Sequence, residues 1–370
     1  MKQQKQGIIQ RHAKADNFKG FVQVLNTLLP IALLWWAAVW SAQQSYWAVA
    51  AVAVLLSLFT LRVLVLMHEC GHGSLFRTAW LNRALGFLFG VITGMPQYVW
   101  SKHHDYHHCN NGNWEKYRGP LTTPTVDEYA AMTTAQQRMY RYTRSIGVAP
   151  LGGFVYLLFN PRFTWLKGSI EFLIHIIKMK IRQPEGSFRT HASGFKTRYW
   201  NSASEYWHMF WNNVVLLSAW VLVCSVIDVS LFFAVYVSSV SLAGGLGIML
   251  FTVQHNFEHA YATDSTQWDY DTGAMEGTSF LLLPRWLNWF TANIAYHHIH
   301  HLSAKIPNYR LAQCHEENRE LFAEVTRLKL SHVYGALKCL LWDEQAHRII
   351  SFAEYERRYQ AANLSAARDE

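Results

Sequence analysis

Residues 295–302 read AYHHIHHL, with four histidines in the five positions from His297 to His301. A second crowd, KHHDYHHC, spans Lys102–Cys109. One pattern, H-x-x-H-H, can be taken from both: His104, His107, His108 and His297, His300, His301. Histidine fills 19 of 370 positions, so this pattern should arise by chance roughly 0.05 times in such a chain. It occurs twice. The pairs His68–His72 in HECGH and His255–His259 in HNFEH are weaker signals, because H-x-x-x-H is expected about once by accident. They gain weight only beside the strong ones.

On a helix, residues i, i+3 and i+4 share a face, with Cβ atoms about 5–6 Å apart. H-x-x-H-H then offers three imidazoles to one side and H-x-x-x-H offers two. HECGH supplies two, each triplet three, and HNFEH one or two, so nine or ten rings are available. Imidazole suits iron, zinc, copper and nickel, and a catalytic zinc takes about three protein ligands. Nine or ten nitrogens are too many for one ion and fit two, at four or five each. Zinc offers no electrons, whereas two irons can bind oxygen and abstract hydrogen from an unactivated C–H bond, so an apolar substrate favours iron. Glu69, Asp105 and Glu258 sit within the boxes and could orient ring N–H groups. His103 and His298 fall off the repeated triplet. His12, His175, His191, His208, His315, His332 and His347 stand alone and read as packed or solvated. Cys70 reads as a packing residue rather than a thiolate ligand.

The elements that must position these rings are apolar. Half of the chain is hydrophobic (51%), 15% is aromatic with 16 Trp, and only 16% is charged, against about 25% in soluble domains. The net charge of +8 fits an anionic membrane surface, and no basic cluster with interleaved aromatics points to nucleic acid. Five scattered Cys without C-x-x-C pairs give neither a disulfide framework nor a zinc ribbon. The polar N-terminal twenty residues do not read as a cleavable signal peptide.

Spanning a bilayer takes about 20 mostly apolar residues. Four segments qualify, at about 21–41, 46–67, 211–228 and 230–253, the last two being one run that Asp228 interrupts. The fold expected is an all-α integral membrane protein, two helical hairpins carrying a cap of residues 68–210 and 254–350 in a single domain, 1–370. Lys2, Lys5, Arg11, Lys14 and Lys19 precede the first span and SAQQ follows it, so both termini and every histidine group are expected on the cytoplasmic side. Arg62, near the interface, is expected to snorkel. Residues 84–100, with three Gly and Pro96, read as re-entrant or interfacial. The stretches 146–159, 165–181 and 279–290 read as surface-bound amphipathic segments.

The order H-x-x-x-H, H-x-x-H-H, H-x-x-H-H around two membrane hairpins resembles the membrane fatty acid desaturase family. VQHNFEHAY (Val253–Tyr261), WDYDTGAMEGTSFLLLP (Trp268–Pro284) and NIAYHHIHHLSAKIPNYRL (Asn293–Leu311) look like its bacterial acyl-lipid branch. The resemblance covers roughly residues 20–320. It implies a non-haem di-iron centre, oxygen-dependent insertion of a cis double bond into a fatty acyl chain, and residence in a bacterial inner membrane. Carried across box by box, the ligands would be His68 and His72; His104, His107 and His108; and His297, His300 and His301. Relatives carry a further ligand in an N-x-x-x-H motif after the fourth span. HNFEH resembles it, which makes His259 the ninth ligand and sets His255 at the Asn position, binding directly or through water. The three residues between the histidines of HECGH favour a lipid-linked substrate. No H-P-G-G signature of a fused cytochrome is present, so a separate protein, ferredoxin or a b-type cytochrome, would supply electrons. An acyl hydroxylase, acetylenase or carotenoid oxygenase would share the fold, while a zinc-dependent membrane hydrolase would need only about three essential histidines and no oxygen. A haem-binding electron carrier would place histidines at matched depths in facing helices instead of beyond the helix ends.

Overall fold

The computed structural model describes residues 2–119 and 121–360. Four of its helices are long and apolar enough to cross a membrane: Asn17–Ser41, Tyr46–His72, Ala203–Cys224 and Val229–His255. Among the described residues, strands are confined to two small pairs. Phe280–Leu282 runs parallel to Arg327–Lys329, and Cys339–Asp343 pairs antiparallel with Arg348–Ser351.

Helix ends follow capping side chains more than the limits of the apolar runs. Asp16 accepts from the Lys19 amide at 3.0 Å and starts the first span four residues before its apolar stretch. Ser202 caps the third, which begins at Ala203 rather than 211 and ends at Cys224 rather than 228. Asp228 belongs instead to the fourth span, accepting from the Leu231 amide at 2.9 Å. These caps satisfy amides that a helix cannot bond internally.

Length explains how the bundle presents its histidines. Each of the second and fourth spans has 27 residues, or about 40 Å of helix at 1.5 Å per residue. The hydrocarbon is about 30 Å thick, so the last turns project beyond it. His68 and His72 ride on the surplus of the second span, and His255 ends the fourth. All of them meet at one end of the bundle.

The apolar segment after HECGH forms a helix, Ala79–Thr93, too short to cross. Gly94, in the left-handed region (φ +81), and Pro96 stop it, and a new helix, Gln97–Asn110, carries the second box. Further on, Asn160–Arg182 presents an exposed apolar stripe, Phe163, Leu166, Ile170, Leu173, Ile177 and Ile181, as an interface-lying helix would.

One expectation fails here. Arg62 does not snorkel; it is buried. Its guanidinium bonds the Trp289 carbonyl, Thr27 Oγ1 at 2.9 Å and Gln23 Oε1 at 3.3 Å, and lies 4.0 Å from the centre of the Trp289 ring. Three neutral acceptors, two on the first span and one on the helix Arg285–Phe290, replace water, which makes burial tolerable and ties that short helix to the first hairpin.

The fourth span is approached closely by the short helix Ala149–Phe154. A Cβ on Gly153 would come within 2.3 Å of the Ser241 carbonyl and 2.4 Å of the Gly245 nitrogen, whereas one on Gly152 would meet only Ile248 Cδ1, at 3.4 Å. Gly153→Ala is therefore expected to destabilise the solubilised protein by about 1–3 kcal/mol while Gly152→Ala leaves it nearly unchanged. Thermal unfolding of the two variants in detergent checks this, and equal midpoints would refute it.

Candidate metal centre

Nine buried imidazoles converge in two groups. His68, His72, His104, His108 and His300 form one; His107, His255, His297 and His301 form the other. Each triplet is divided. The i,i+4 pair His104 and His108 joins the group of five while His107, between them, turns to the group of four. In the third box the roles reverse, His297 and His301 entering the group of four and His300 the other. The groups abut where the His108 and His301 rings stack at 4.1 Å.

Ring nitrogens approach closely. His104 and His108 Nε2 stand 3.0 Å apart, and His108 and His300 Nε2 3.1 Å. In the other group His255 Nε2 lies 3.1 Å from that of His107 and 2.8 Å from that of His297, and His107 lies 3.2 Å from His301. Two imidazole nitrogens bound at right angles to one ion, each at about 2.1 Å, would stand about 3.0 Å apart. The opposite ring nitrogens show which protons are available. His68 Nδ1 faces Glu69 Oε1 at 3.2 Å, His72 Nδ1 faces Asp105 Oδ1 at 3.5 Å, and His255 Nδ1 faces the Gly277 carbonyl at 3.3 Å. Donation there leaves these rings with bare Nε2 lone pairs pointing inward, an arrangement that repels itself unless a cation sits among them. His72 Nε2 is buried without a hydrogen-bond partner. The donor set fits two metal ions.

Glu69 carries more of the site than its place in HECGH implies. Wholly buried, it faces His68 through Oε1, with His300 Nδ1 4.0 Å away. Its Oε2 accepts from Ser74 Oγ at 2.9 Å and the Asn308 amide at 3.0 Å. One carboxylate thus links the first box to the loop after the third, at Asn308. Asp105 also reaches a grouped ring, that of His72.

The structure departs from expectation at HNFEH. His259 lies outside both groups, exposed, with Arg348 Nη1 donating to its Nδ1 at 3.1 Å. The shared-face argument required a helix through Glu258, but the helix ends at His255 and His259 adopts φ +70. His255 is itself in the cluster, its Nε2 2.8 Å from that of His297. Glu258 is exposed for the same reason and faces Arg348. The two off-triplet histidines lie elsewhere: His103 is exposed, and His298 pairs with His315, Nε2 to Nδ1, at 3.1 Å.

Sequence reasoning passed over the aromatic wall. Trp100 stacks on His104 at 4.5 Å and 14°, Tyr117 lies 4.6 Å from His107, and Phe251 packs on His104, His107 and His255. The i,i+4 spacing of Trp100 to His104 and of Phe251 to His255 is a signal that could have found two of them. These rings border an apolar cavity of about 310 Å³ that reaches His68, His104, His107 and His297 and continues between the second and fourth spans past Leu61, Gly244 and Ile248. A larger, polar hollow of about 830 Å³, between Gln4–His12 and Glu316–Leu321, touches no grouped histidine.

Burial, reinforced by neighbouring imidazoles, holds His104, His107, His108, His297, His300 and His301 well below their ordinary pKa of 6.5, so the rings are neutral and free to bind a cation. In chelator-treated protein the unfolded chain takes up protons as pH falls through about 6.5 while the folded rings resist. Stability is then expected to fall below that pH, by roughly 1.4 kcal/mol per unit for each ring. Unfolding midpoints measured from about pH 8 to 5.5 test it; a flat profile would contradict the burial argument.

Residues 45–332 match the family model described as fatty acid desaturase. A fatty acid desaturase of Bacillus subtilis (strain 168) is 30% identical over 341 residues, covering 92% of this chain and 88% of that protein. An sn-1 oleoyl-lipid 12-desaturase of Picosynechococcus sp. (strain ATCC 27264 / PCC 7002 / PR-6) is 24% identical over 304 residues, 80% of this chain and 76% of its own length. An endoplasmic reticulum omega-3 fatty acid desaturase of Vigna radiata var. radiata is 24% identical over 298 residues, 79% and 67% respectively.

Proposed function

The chain belongs to the fatty acid desaturase family, and on that premise we propose that it inserts a cis double bond into a lipid-linked acyl chain, using two irons held by nine histidines. His68, His72, His104, His108 and His300 would hold one ion, and His107, His255, His297 and His301 the other. When bound, the irons supply oxygen activation and the oxidising power to remove two hydrogens from adjacent carbons. The overall balance is –CH2–CH2– + O2 + 2 e⁻ + 2 H⁺ → –CH=CH– + 2 H2O, the two electrons coming from a separate carrier protein.

The observation that carries this reading is the apolar cavity lying against histidines of both groups. Its volume falls within the roughly 300–1,000 Å³ of small-molecule sites, and its lining recognises methylene groups by burial, at about 0.8 kcal/mol each. Trp100 and Phe251 keep water from the rings they cover, and Glu69 and Asp105 fix ring orientation. The passage between two membrane-crossing helices suits a chain that enters from a lipid, as does the printed name of the cyanobacterial relative. The basic N-terminal residues support a cytoplasmic face for the centre.

Expression in a host without polyunsaturated lipids, followed by mass spectrometry of extracted acyl chains, tests the reading. Chains lighter by two hydrogens are expected. A gain of one oxygen, or unchanged chains from a protein carrying two irons with oxygen and reductant supplied, would overturn it.

A further inference from the structure

Arg62 and Glu69 are both buried on the second span, seven positions apart. Seven residues are two turns, so the two share nearly one face and stand about 10 Å apart along the helix axis. Arg62 has neutral acceptors. A cation buried in a crossing helix is costly where apolar packing would hold two spans together as well. Two amide side chains bridge it to the carboxylate.

The bridge is continuous and buried. Arg62 Nη2 donates to Gln23 Oε1 at 3.3 Å, Gln23 Nε2 donates to Asn308 Oδ1 at 3.0 Å, and Asn308 Nδ2 returns to Gln23 Oε1 at 2.8 Å. The Asn308 backbone amide donates to Glu69 Oε2 at 3.0 Å, and Glu69 Oε1 faces His68 Nδ1 at 3.2 Å. A reciprocal pair of amides is satisfied equally well with both side chains flipped. Arg62 removes that freedom, because a guanidinium only donates and so demands the Gln23 oxygen. With the pair fixed, the series Arg62, Gln23, Asn308, Glu69 runs from donor to acceptor at each of its three steps. Hydrogen bonds aligned in this way polarise one another in a dry interior.

We infer that Arg62 is a positioning residue for the five-histidine group: through Gln23 and Asn308 it holds the Glu69 carboxylate against His68. The inference rests on the desaturase reading, in which that group holds one of two metal ions. Gln23 lies on the first span, Arg62 on the second and Asn308 beyond the third box, so one hydrogen-bonded series sets three segments in register. Thr27, the other side-chain acceptor of Arg62, sits off the series, its hydroxyl donating to the Gln23 backbone carbonyl at 2.7 Å. It separates positioning of the metal group from simple fastening of the two spans.

The test uses the full-length protein in detergent, reloaded with Co(II), and follows the release of cobalt to a chelator. Wild type is expected to hold two ions per chain, and His72→Ala marks the release phase that belongs to the five-histidine group. Gln23→Leu should release that ion about threefold or more faster, a part of the roughly 10–100-fold that losing a ligand's direct partner costs. The other ion's rate should stay unchanged, and the visible cobalt absorption of the five-histidine site should shift. Arg62→Met should do the same; if it does not fold, Gln23→Leu, which leaves the guanidinium in place, decides the matter alone. Thr27→Val should release both ions at wild-type rates. Wild-type release from Gln23→Leu overturns the inference. So does equal acceleration of both ions, or a Thr27→Val that matches Gln23→Leu, since either result makes the network a fastener of the spans alone. A wild-type protein that binds fewer than two cobalt ions overturns the two-metal reading and the inference with it.

Discussion

His255→Ala is expected to abolish product formation and to lower bound iron from two per chain to one or fewer, while His259→Ala leaves both near wild type. The contrast is sharp because the two residues share one short motif. His255 Nε2 lies within 3.1 Å of two other ring nitrogens of the group of four, so its loss removes a central donor. Partners that merely orient a ligand cost about 10–100-fold in affinity or activity when removed; losing a ligand should exceed that. His259 is exposed on Arg348, and surface substitutions usually stay within about 0.5 kcal/mol. Iron per polypeptide and acyl-chain analysis of both variants decide the matter. An inactive, iron-poor His259→Ala beside an active His255→Ala would reverse the assignment.

Glu69→Gln should have the next largest effect. The carboxylate accepts on both oxygens, from His68 on one and from Ser74 Oγ and the Asn308 amide on the other. An amide presents a donor on one of those sides. Either a ring loses its orienting acceptor or two buried donors face an N–H, at about 1–3 kcal/mol for each unsatisfied group. Iron affinity is expected to drop about 10–100-fold, read as faster loss to a chelator. Ser74→Ala removes a donor from the side away from His68 and should lose far less iron. Equal chelator resistance in Glu69→Gln and wild type would show that the carboxylate serves packing alone.

The histidines that cluster were legible as words in the sequence. H-x-x-H-H twice, HECGH and HNFEH contain all nine clustered rings, because ligands on one helix must recur at i+3 and i+4, and that spacing is a local property. The spans were legible too, since crossing hydrocarbon imposes length and apolarity on consecutive residues. Capping decided the helix ends, and there the local reading failed. The helix stops at His255, so His259 never shares its face.

What the sequence alone determined was therefore the supply of imidazoles and the apolar helices that raise them to one end of a bundle. Only the tertiary structure decided how they are shared. His107 meets His255 from 148 positions away and His301 from 194, and neighbours on one turn, His107 and His108, part company because adjacent helical residues point about 100° apart. The same packing buried Arg62 among neutral acceptors, joined Glu69 to the loop after the third box at Asn308, and opened the cavity between helices remote in sequence. Periodicity fixes which face of an element a residue occupies, but the partner that face meets depends on how distant segments pack together.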